Sequence, residues 1–200
     1  MISKKARNRK KVISFLMRLV TLIKPGSLTL FQIKIIRKLV SIASHRRSSV
    51  KKNVIEKIKL DQLDLYRIIP NKISDEKKIL FFHGGGFFIG NFNIYRNYVS
   101  FLAEVISREI IFVDYELGPE SKYPSQLEQA KKAYSFILEK CNGSHIILAG
   151  DSAGGNLALS LYLALEKEKF TKPLAIFCVS PWVNPTALLA EYPDSFCESD

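Results

Sequence analysis

The chain has 200 residues, of which 47% are hydrophobic and 24% are charged. This length and apolar content can bury one substantial core, which excludes a largely disordered chain and favours a single globular domain with at most a small appendage. The formal net charge of +11 would suit a nucleic-acid binder. However, residues 1–55 hold 15 of the 30 Lys and Arg and no Asp or Glu. Because the charge is confined to this end and no aromatic-rich basic groove accompanies it, we expect no nucleic-acid partner.

The N-terminal segment, residues 1–52, is predicted to be a basic amphipathic helical hairpin that forms a cap or lid. Polar side chains recur every three or four positions along residues 12–23, which predicts a helix with one narrow polar stripe. Pro25-Gly26 ends this helix, and residues 28–44 repeat the pattern. The segment is therefore predicted to have two apolar helical faces.

Besides packing over the main domain, this segment could span a membrane, act as a signal peptide or contact a membrane peripherally. A membrane-spanning helix would need about 18–20 apolar residues, and the longest uncharged run here is nine, residues 25–33. A signal peptide is disfavoured because Arg18 interrupts the apolar stretch and no small-residue cleavage site follows. Peripheral contact of residues 4–52 with an anionic membrane stays open. We expect a cytoplasmic protein, with membrane association as the alternative.

Strands and helices alternate along the rest of the chain, residues 53–200. Such alternation is typical of an α/β domain built around a largely parallel sheet. Ligands bind such sheets at the carboxyl ends of the strands, which selects the loops after residues 82, 115 and 150. The predicted strands are 54–60, 65–69, 78–82, 110–115, 145–150 and 174–180, and the predicted helices are 95–107, 126–140 and 153–167.

Two of the selected loops are rich in glycine. HGGGFFIG (83–90) follows a buried strand, and its consecutive glycines let the backbone approach a ligand with its N–H groups. GDSAGG (150–155) matches the G-x-S-x-G pattern of a nucleophile elbow, a strand-to-helix turn too sharp for large neighbours. A phosphate-binding loop is the alternative, but the P-loop lysine and the G-x-G-x-x-G spacing are absent. Together the loops predict acyl transfer.

Five motifs in the second part of the chain occur together in a specific order. They are HGGGF (83–87), VDYELGPE (113–120), YP (123–124), GDSAGGNLA (150–158) and SPW (180–182). In order and approximate spacing they resemble the α/β-hydrolase fold-3 family, also called the hormone-sensitive-lipase-like esterases. The resemblance implies an α/β-hydrolase fold, with a mostly parallel sheet flanked by helices, that is C-terminally incomplete and carries the N-terminal helical cap.

The resemblance also assigns functions to individual residues. It implies a serine carboxylesterase or lipase-like hydrolase that acts on small acyl esters through Ser152 as nucleophile, without a metal or organic cofactor. His83 and Gly84 would shape the glycine loop. The implied oxyanion donors are the backbone N–H groups of Gly85, Gly86 and Ala153.

One segment beside the implied site departs from the family pattern. Residues 114–120 are expected to support the site structurally. Glu116 and Gly118 stand where the family usually has Arg and Ala, which predicts a changed supporting salt bridge.

The base that a serine nucleophile requires is not evident in this sequence. In the family the catalytic carboxylate and histidine lie beyond the position at which this chain ends. His145 opens the strand that leads to the elbow, so it is expected about 20 Å from Ser152. His83 is expected to shape the loop, and His45 is expected to be solvated in the basic hairpin. We therefore expect the base to come from sequence beyond Asp200 or from a second chain. The alternative is a catalytically silent remnant or a weak acyl-binding protein.

Overall fold

The computed structural model describes residues 29–44 and 53–184. The predicted helix over 12–23 and His45 lie outside these residues. The chain divides into two compact units, residues 1–39 and 40–200. Within the described ranges, no helix is both long enough and apolar enough to cross a membrane.

Helix α1 (Leu30–Ser44) corresponds to the second predicted helix of the N-terminal segment. Its start is stabilised by a reciprocal pair of hydrogen bonds between Thr29 and Gln32. The Thr29 N–H donates to Gln32 Oε1 at 2.9 Å, and the Gln32 N–H donates to Thr29 Oγ1 at 3.3 Å. This capping box satisfies backbone donors that the first helical turn leaves unpaired.

A six-stranded sheet with the order β1-β2-β4-β3-β5-β6 forms the second unit. Strand β2 pairs antiparallel with β1 and β4, whereas β4, β3, β5 and β6 run parallel to one another. This arrangement confirms the predicted α/β architecture. The strands are β1 (Val54–Leu60), β2 (Leu63–Ile69), β3 (Lys78–Phe82), β4 (Glu109–Asp114), β5 (Ile146–Asp151) and β6 (Ala175–Val179). The helices are α2 (Phe92–Ile106), α3 (Ser125–Leu138) and α4 (Ala153–Lys167).

The central strands are buried on both faces because helices cover both sides of the sheet. Leu80 and Phe82 of β3 belong to a core shared with α3 and α4. Phe81, the residue between them, belongs to a second core shared with α2. This alternation explains why β3 reads as a continuous apolar run. Because β3 pairs parallel with β4 and β5, the carboxyl ends of these three strands lie at one edge of the sheet.

Asp114, the last residue of β4, carries a carboxyl group with a perturbed pKa. Its Oδ1 accepts a hydrogen bond from the Phe92 N–H, at the start of α2, at 3.2 Å. Burial raises the pKa of Asp114 from its ordinary value of 3.8 to about 6. The Asp64 carboxylate, opposite Asp114 on β2, also raises this pKa. The folded state therefore favours the neutral form of Asp114.

We predict that Asp114→Asn increases stability in a pH-dependent manner. Because the folded-state pKa lies above the unfolded-state value, wild type loses stability as the pH rises from about 4 to about 6. The amide removes this loss, on the order of 3 kcal/mol, and keeps an oxygen for the Phe92 N–H. Urea unfolding at several pH values should show the advantage of the variant growing up to pH 7. An advantage independent of pH would contradict this account.

Candidate active site

Ser152 occupies the turn between β5 and α4 in a strained backbone conformation. Its φ of 50° and ψ of −119° lie outside the regions that non-glycine residues ordinarily occupy. The Ser152 N–H donates to Val179 O at 3.0 Å. Its carbonyl accepts from the N–H groups of Asn156 and Trp182 at 3.1 and 3.0 Å. Hydrogen bonds from three directions therefore hold the serine in a conformation that it would otherwise avoid.

The glycines on either side of Ser152 allow backbone to pack directly against backbone. A Cβ on Gly154 would lie 2.5 Å from the carbonyl carbon of Phe82 and 2.6 Å from His83 O. A Cβ on Gly150 would overlap the carbonyl group of Gly154. A side chain at Gly154 would therefore push α4 away from β3, and one at Gly150 would push α4 away from β5. The sharp turn predicted from the G-x-S-x-G pattern is present.

The glycine loop, residues 83–90, leaves β3 beside this turn because Phe82 is paired with Gly150 across the sheet. Gly85 and Gly86 have φ values of 114° and 63°, which favour glycine. Their N–H groups donate to no acceptor among the described residues. The Gly84 N–H, by contrast, donates to Asp151 Oδ1 and to the Tyr95 hydroxyl, both at 3.0 Å. The loop thus offers two free donors, and Gly84 is engaged internally.

Ala153 is the first residue of α4 and is fully buried. The first N–H groups of a helix have no intrahelical acceptor, and they lie at the positive end of the helix dipole. The Ala153 N–H therefore adds a third donor beside Ser152. The role of these three N–H groups as oxyanion donors stays a prediction from the family resemblance.

His83 is fully buried beneath the glycine loop. Its ring stacks on Tyr115 with centroids 4.2 Å apart. Nδ1 lies 2.8 Å from Gly84 O, and because a carbonyl only accepts, Nδ1 carries the proton. Burial lowers the pKa of His83 to about 4, against a smaller opposing effect of the Gly84 hydrogen bond. A neutral, inaccessible ring whose Nδ1–H donates to the loop carbonyl suits loop shaping and not proton abstraction.

His145 lies at the opposite end of β5 from Ser152. It belongs to a short 3₁₀ turn, Gly143–His145, immediately before the strand. Its Nδ1 is 3.7 Å from Glu76 Oε2. Six strand residues at about 3.3 Å each separate it from the elbow. In the described ranges, therefore, neither of the two histidines is positioned to deprotonate Ser152.

The segment after β4 supports the glycine loop directly. The Tyr115 hydroxyl donates to His83 O at 2.6 Å, and the Gly118 N–H donates to Phe87 O at 2.8 Å. The Glu116 carboxylate accepts from the hydroxyl groups of Ser121 at 2.5 Å and Ser125 at 3.2 Å. Glu116 thus stands where the family usually has an arginine, and its carboxylate is paired with the hydroxyl groups of two serines, one of them the first residue of α3.

Sequence reasoning missed two residues that connect the loops. Tyr95 on α2 donates from its hydroxyl to Asp151 Oδ2 at 2.7 Å, and both groups bind the Gly84 N–H. Asp151 could have been singled out as the polar residue before the nucleophile. Nothing in the local sequence distinguishes Tyr95 from Tyr98 one turn later.

A strained serine in a sharp strand-to-helix turn, at the carboxyl edge of a mostly parallel sheet and beside a glycine loop, is typical of the α/β-hydrolase class. Residues 79–197 match the model of the alpha/beta hydrolase fold family. The match covers more than half of the chain, and the chain belongs to this family. The family resemblance drawn from the sequence motifs is confirmed.

Similar proteins include esterases and lipases of this family. An acetyl-hydrolase of Streptomyces hygroscopicus is 34% identical over 112 residues, which cover 56% of this chain and 38% of that protein. The hormone-sensitive lipase of Homo sapiens is 39% identical over 123 residues, which cover 56% of this chain and 11% of the lipase. The crystal structure of an esterase from the bacterial hormone-sensitive lipase family superposes with a TM-score of 0.73 at 28% identity. That superposition covers 78% of this chain and 52% of the esterase chain. The chain therefore spans about half or less of these relatives.

We predict that Gly154→Ala destabilises the fold by about 2–4 kcal/mol, because the new Cβ meets the backbone of β3 and not a movable side chain. The matched control is Gly118→Ala, whose Cβ would be no closer than 3.6 Å to any neighbour. That change should stay within about 0.5 kcal/mol. Urea unfolding of both variants measures the difference, and equal effects would show that the close approach at Gly154 is not a constraint.

Proposed function

We propose that the chain carries the nucleophile and the oxyanion donors of a serine carboxylesterase or lipase-like hydrolase of small acyl esters. The observation that carries the proposal is the strained Ser152 turn beside the two free N–H groups of the glycine loop. Neither feature is needed for a simple connection between strand and helix. The esterases and lipases among the relatives support this chemistry.

In the proposed reaction, Ser152 Oγ attacks the carbonyl carbon of the ester while its proton passes to a base. The carbonyl oxygen gains a negative charge and is stabilised by the N–H groups of Gly85, Gly86 and Ala153. Collapse of this intermediate releases the alcohol, which takes the proton, and leaves the acyl group on Ser152. Water then attacks the acyl-enzyme and releases the acid. Donors that the fold holds in place would need little reorganisation when the charge develops.

The base in this scheme is proposed to be a histidine outside the described residues, held by further polypeptide of this protein or by a second chain. His83 is buried with its Nδ1–H bound to Gly84 O, and His145 lies at the opposite end of β5, so neither is positioned to deprotonate Ser152. Loss of the base from such a site typically costs about 10⁴–10⁶-fold in rate. The positions of these two histidines therefore also favour a second candidate function, in which the isolated chain binds acyl compounds without hydrolysing them.

We predict that a short-chain p-nitrophenyl ester distinguishes the two functions. The 200-residue chain and its Ser152→Ala variant are compared at equal concentration. If a base is available, the variant should lose at least about 10³-fold in rate. Equal slow rates, together with saturable binding of a short-chain carboxylate by both proteins, would support acyl binding without catalysis. Equal rates without any binding would contradict both candidates.

We also propose that the N-terminal segment contacts anionic membranes peripherally. On α1 an exposed apolar face at helical spacing is flanked by exposed lysines, as expected of a helix lying in a membrane interface. The apolar residues are Phe31, Ile35, Leu39 and Ile42, and the lysines are Lys34 and Lys38.

We predict that the chain cosediments with vesicles containing phosphatidylserine and that binding weakens as salt increases, because surface charges are screened. The double variant Lys34→Glu/Lys38→Glu should bind less than wild type. A matched control with the same charge change is Lys72→Glu/Lys122→Glu, at exposed positions on the other unit. Equal losses in both double variants would assign binding to net charge and would contradict a specific contact of α1.

A further inference from the structure

The peptide group between His83 and Gly84 is held at both of its polar ends. Its carbonyl oxygen accepts from the Tyr115 hydroxyl at 2.6 Å. Its N–H donates to Asp151 Oδ1 and to the Tyr95 hydroxyl at 3.0 Å each. The Tyr95 hydroxyl in turn donates to Asp151 Oδ2 at 2.7 Å. Tyr95, Asp151 and Gly84 thus form a closed triangle of hydrogen bonds.

This triangle lies one peptide group before the first free donor. Gly84 O faces His83 Nδ1 at 2.8 Å. In a planar trans peptide the C=O and N–H groups point in opposite directions, so the Gly85 N–H points away from the His83 ring. Its direction therefore depends on the orientation of Gly84. Because Asp151 directly precedes Ser152, the same contacts fix the loop relative to the nucleophile.

We infer that Tyr95 is a positioning residue of the proposed active site. Its hydroxyl holds the Asp151 carboxylate against Gly84 and so sets the direction of the Gly85 N–H relative to Ser152. The inference rests on the proposed function, in which the Gly85 N–H stabilises the developing negative charge.

The position and protonation of Tyr95 suit this task. Asn91 caps α2, with its Oδ1 accepting from the Ile94 N–H at 3.0 Å, and Asp114 binds the Phe92 N–H. The first turn of α2, which carries Tyr95, is therefore fixed at two points. Burial raises the pKa of Tyr95 well above its ordinary value of 10, and the charge of Asp151 raises it further. The hydroxyl consequently stays protonated and remains a donor to Asp151 at any pH used for assays.

Loss of the hydroxyl would leave Asp151 Oδ2 without its donor from Tyr95 and the Gly84 N–H with one acceptor instead of two. The carboxylate would then be free to rotate away from the loop, because its remaining bond to Gly84 involves a single oxygen. Hydrogen bonds to charged groups are typically strong, so we expect this change to be measurable locally.

The test compares Tyr95→Phe with Tyr98→Phe as matched control. Tyr98 lies on the same helix, and its ring packs edge-on against the Tyr95 ring with centroids 6.3 Å apart. Its hydroxyl has no hydrogen-bond partner in the described parts of the chain. The first measurement is amide hydrogen exchange by NMR on the full 200-residue chain. In Tyr95→Phe, exchange at the Gly84 N–H should accelerate by about tenfold or more, with exchange in the core strands unchanged. Equal exchange at Gly84 in the two variants would overturn the inference.

The second measurement separates positioning from a merely structural effect. Butylboronic acid adds to a serine hydroxyl and forms a tetrahedral adduct, whereas butyramide is planar and forms none. Tyr95→Phe should weaken binding of the boronic acid by about tenfold or more and leave butyramide binding unchanged. Equal weakening of both ligands would mean general disruption of the pocket and would overturn the inference.

Failure of the proposed function gives a different result. In that case the boronic acid binds wild type and Ser152→Ala equally, and the exchange measurement alone decides whether Tyr95 orders the glycine loop.

Discussion

The close contact between the start of α4 and the end of β3 is the constraint on which the site depends. Gly154 lies directly against the carbonyl groups of Phe82 and His83. This contact brings the N-terminus of a helix to the same edge of the sheet as the glycine loop. The chain must then turn within a single residue between β5 and α4, and Ser152 takes the strained conformation that this turn demands. The position of Ser152 therefore follows from backbone packing.

Strain at one residue typically costs about 1–3 kcal/mol and persists only when the surroundings fix it. Here the surroundings are a sheet buried on both faces and a loop after β6 that binds the Ser152 backbone through Trp182. Further polar contacts come from two tyrosines on different elements, Tyr95 and Tyr115, which meet at the His83–Gly84 peptide. The apolar core thus supplies rigidity, and a few buried hydroxyl groups give the loop its direction.

The sequence was sufficient for the features that depend on local patterns. The apolar run of β3 and the glycines around Ser152 predicted the sheet and the turn because burial and backbone contact restrict residue types directly. Helix α2 begins at Phe92 and not at the predicted residue 95. The N-cap residue Asn91 is a signal in the sequence that could have given the correct start. The link from Tyr95 to Asp151 joins residues 56 positions apart. It depends on the strand order, which places β3 between β4 and β5, and no local pattern encodes that order.

The same strand order limits where a base could approach Ser152. On the β3 side of β5, the glycine loop and the buried His83 lie beside the turn that contains Ser152. On the other side lies β6, which pairs with β5 alone among the described strands and exposes Phe177 and Val179. Val179 O accepts from the Ser152 N–H, so the end of this strand reaches Ser152 directly. In the proposed function, a histidine that acts on the Ser152 hydroxyl would enter over the end of β6, and polypeptide that brings it there would also cover Phe177 and Val179.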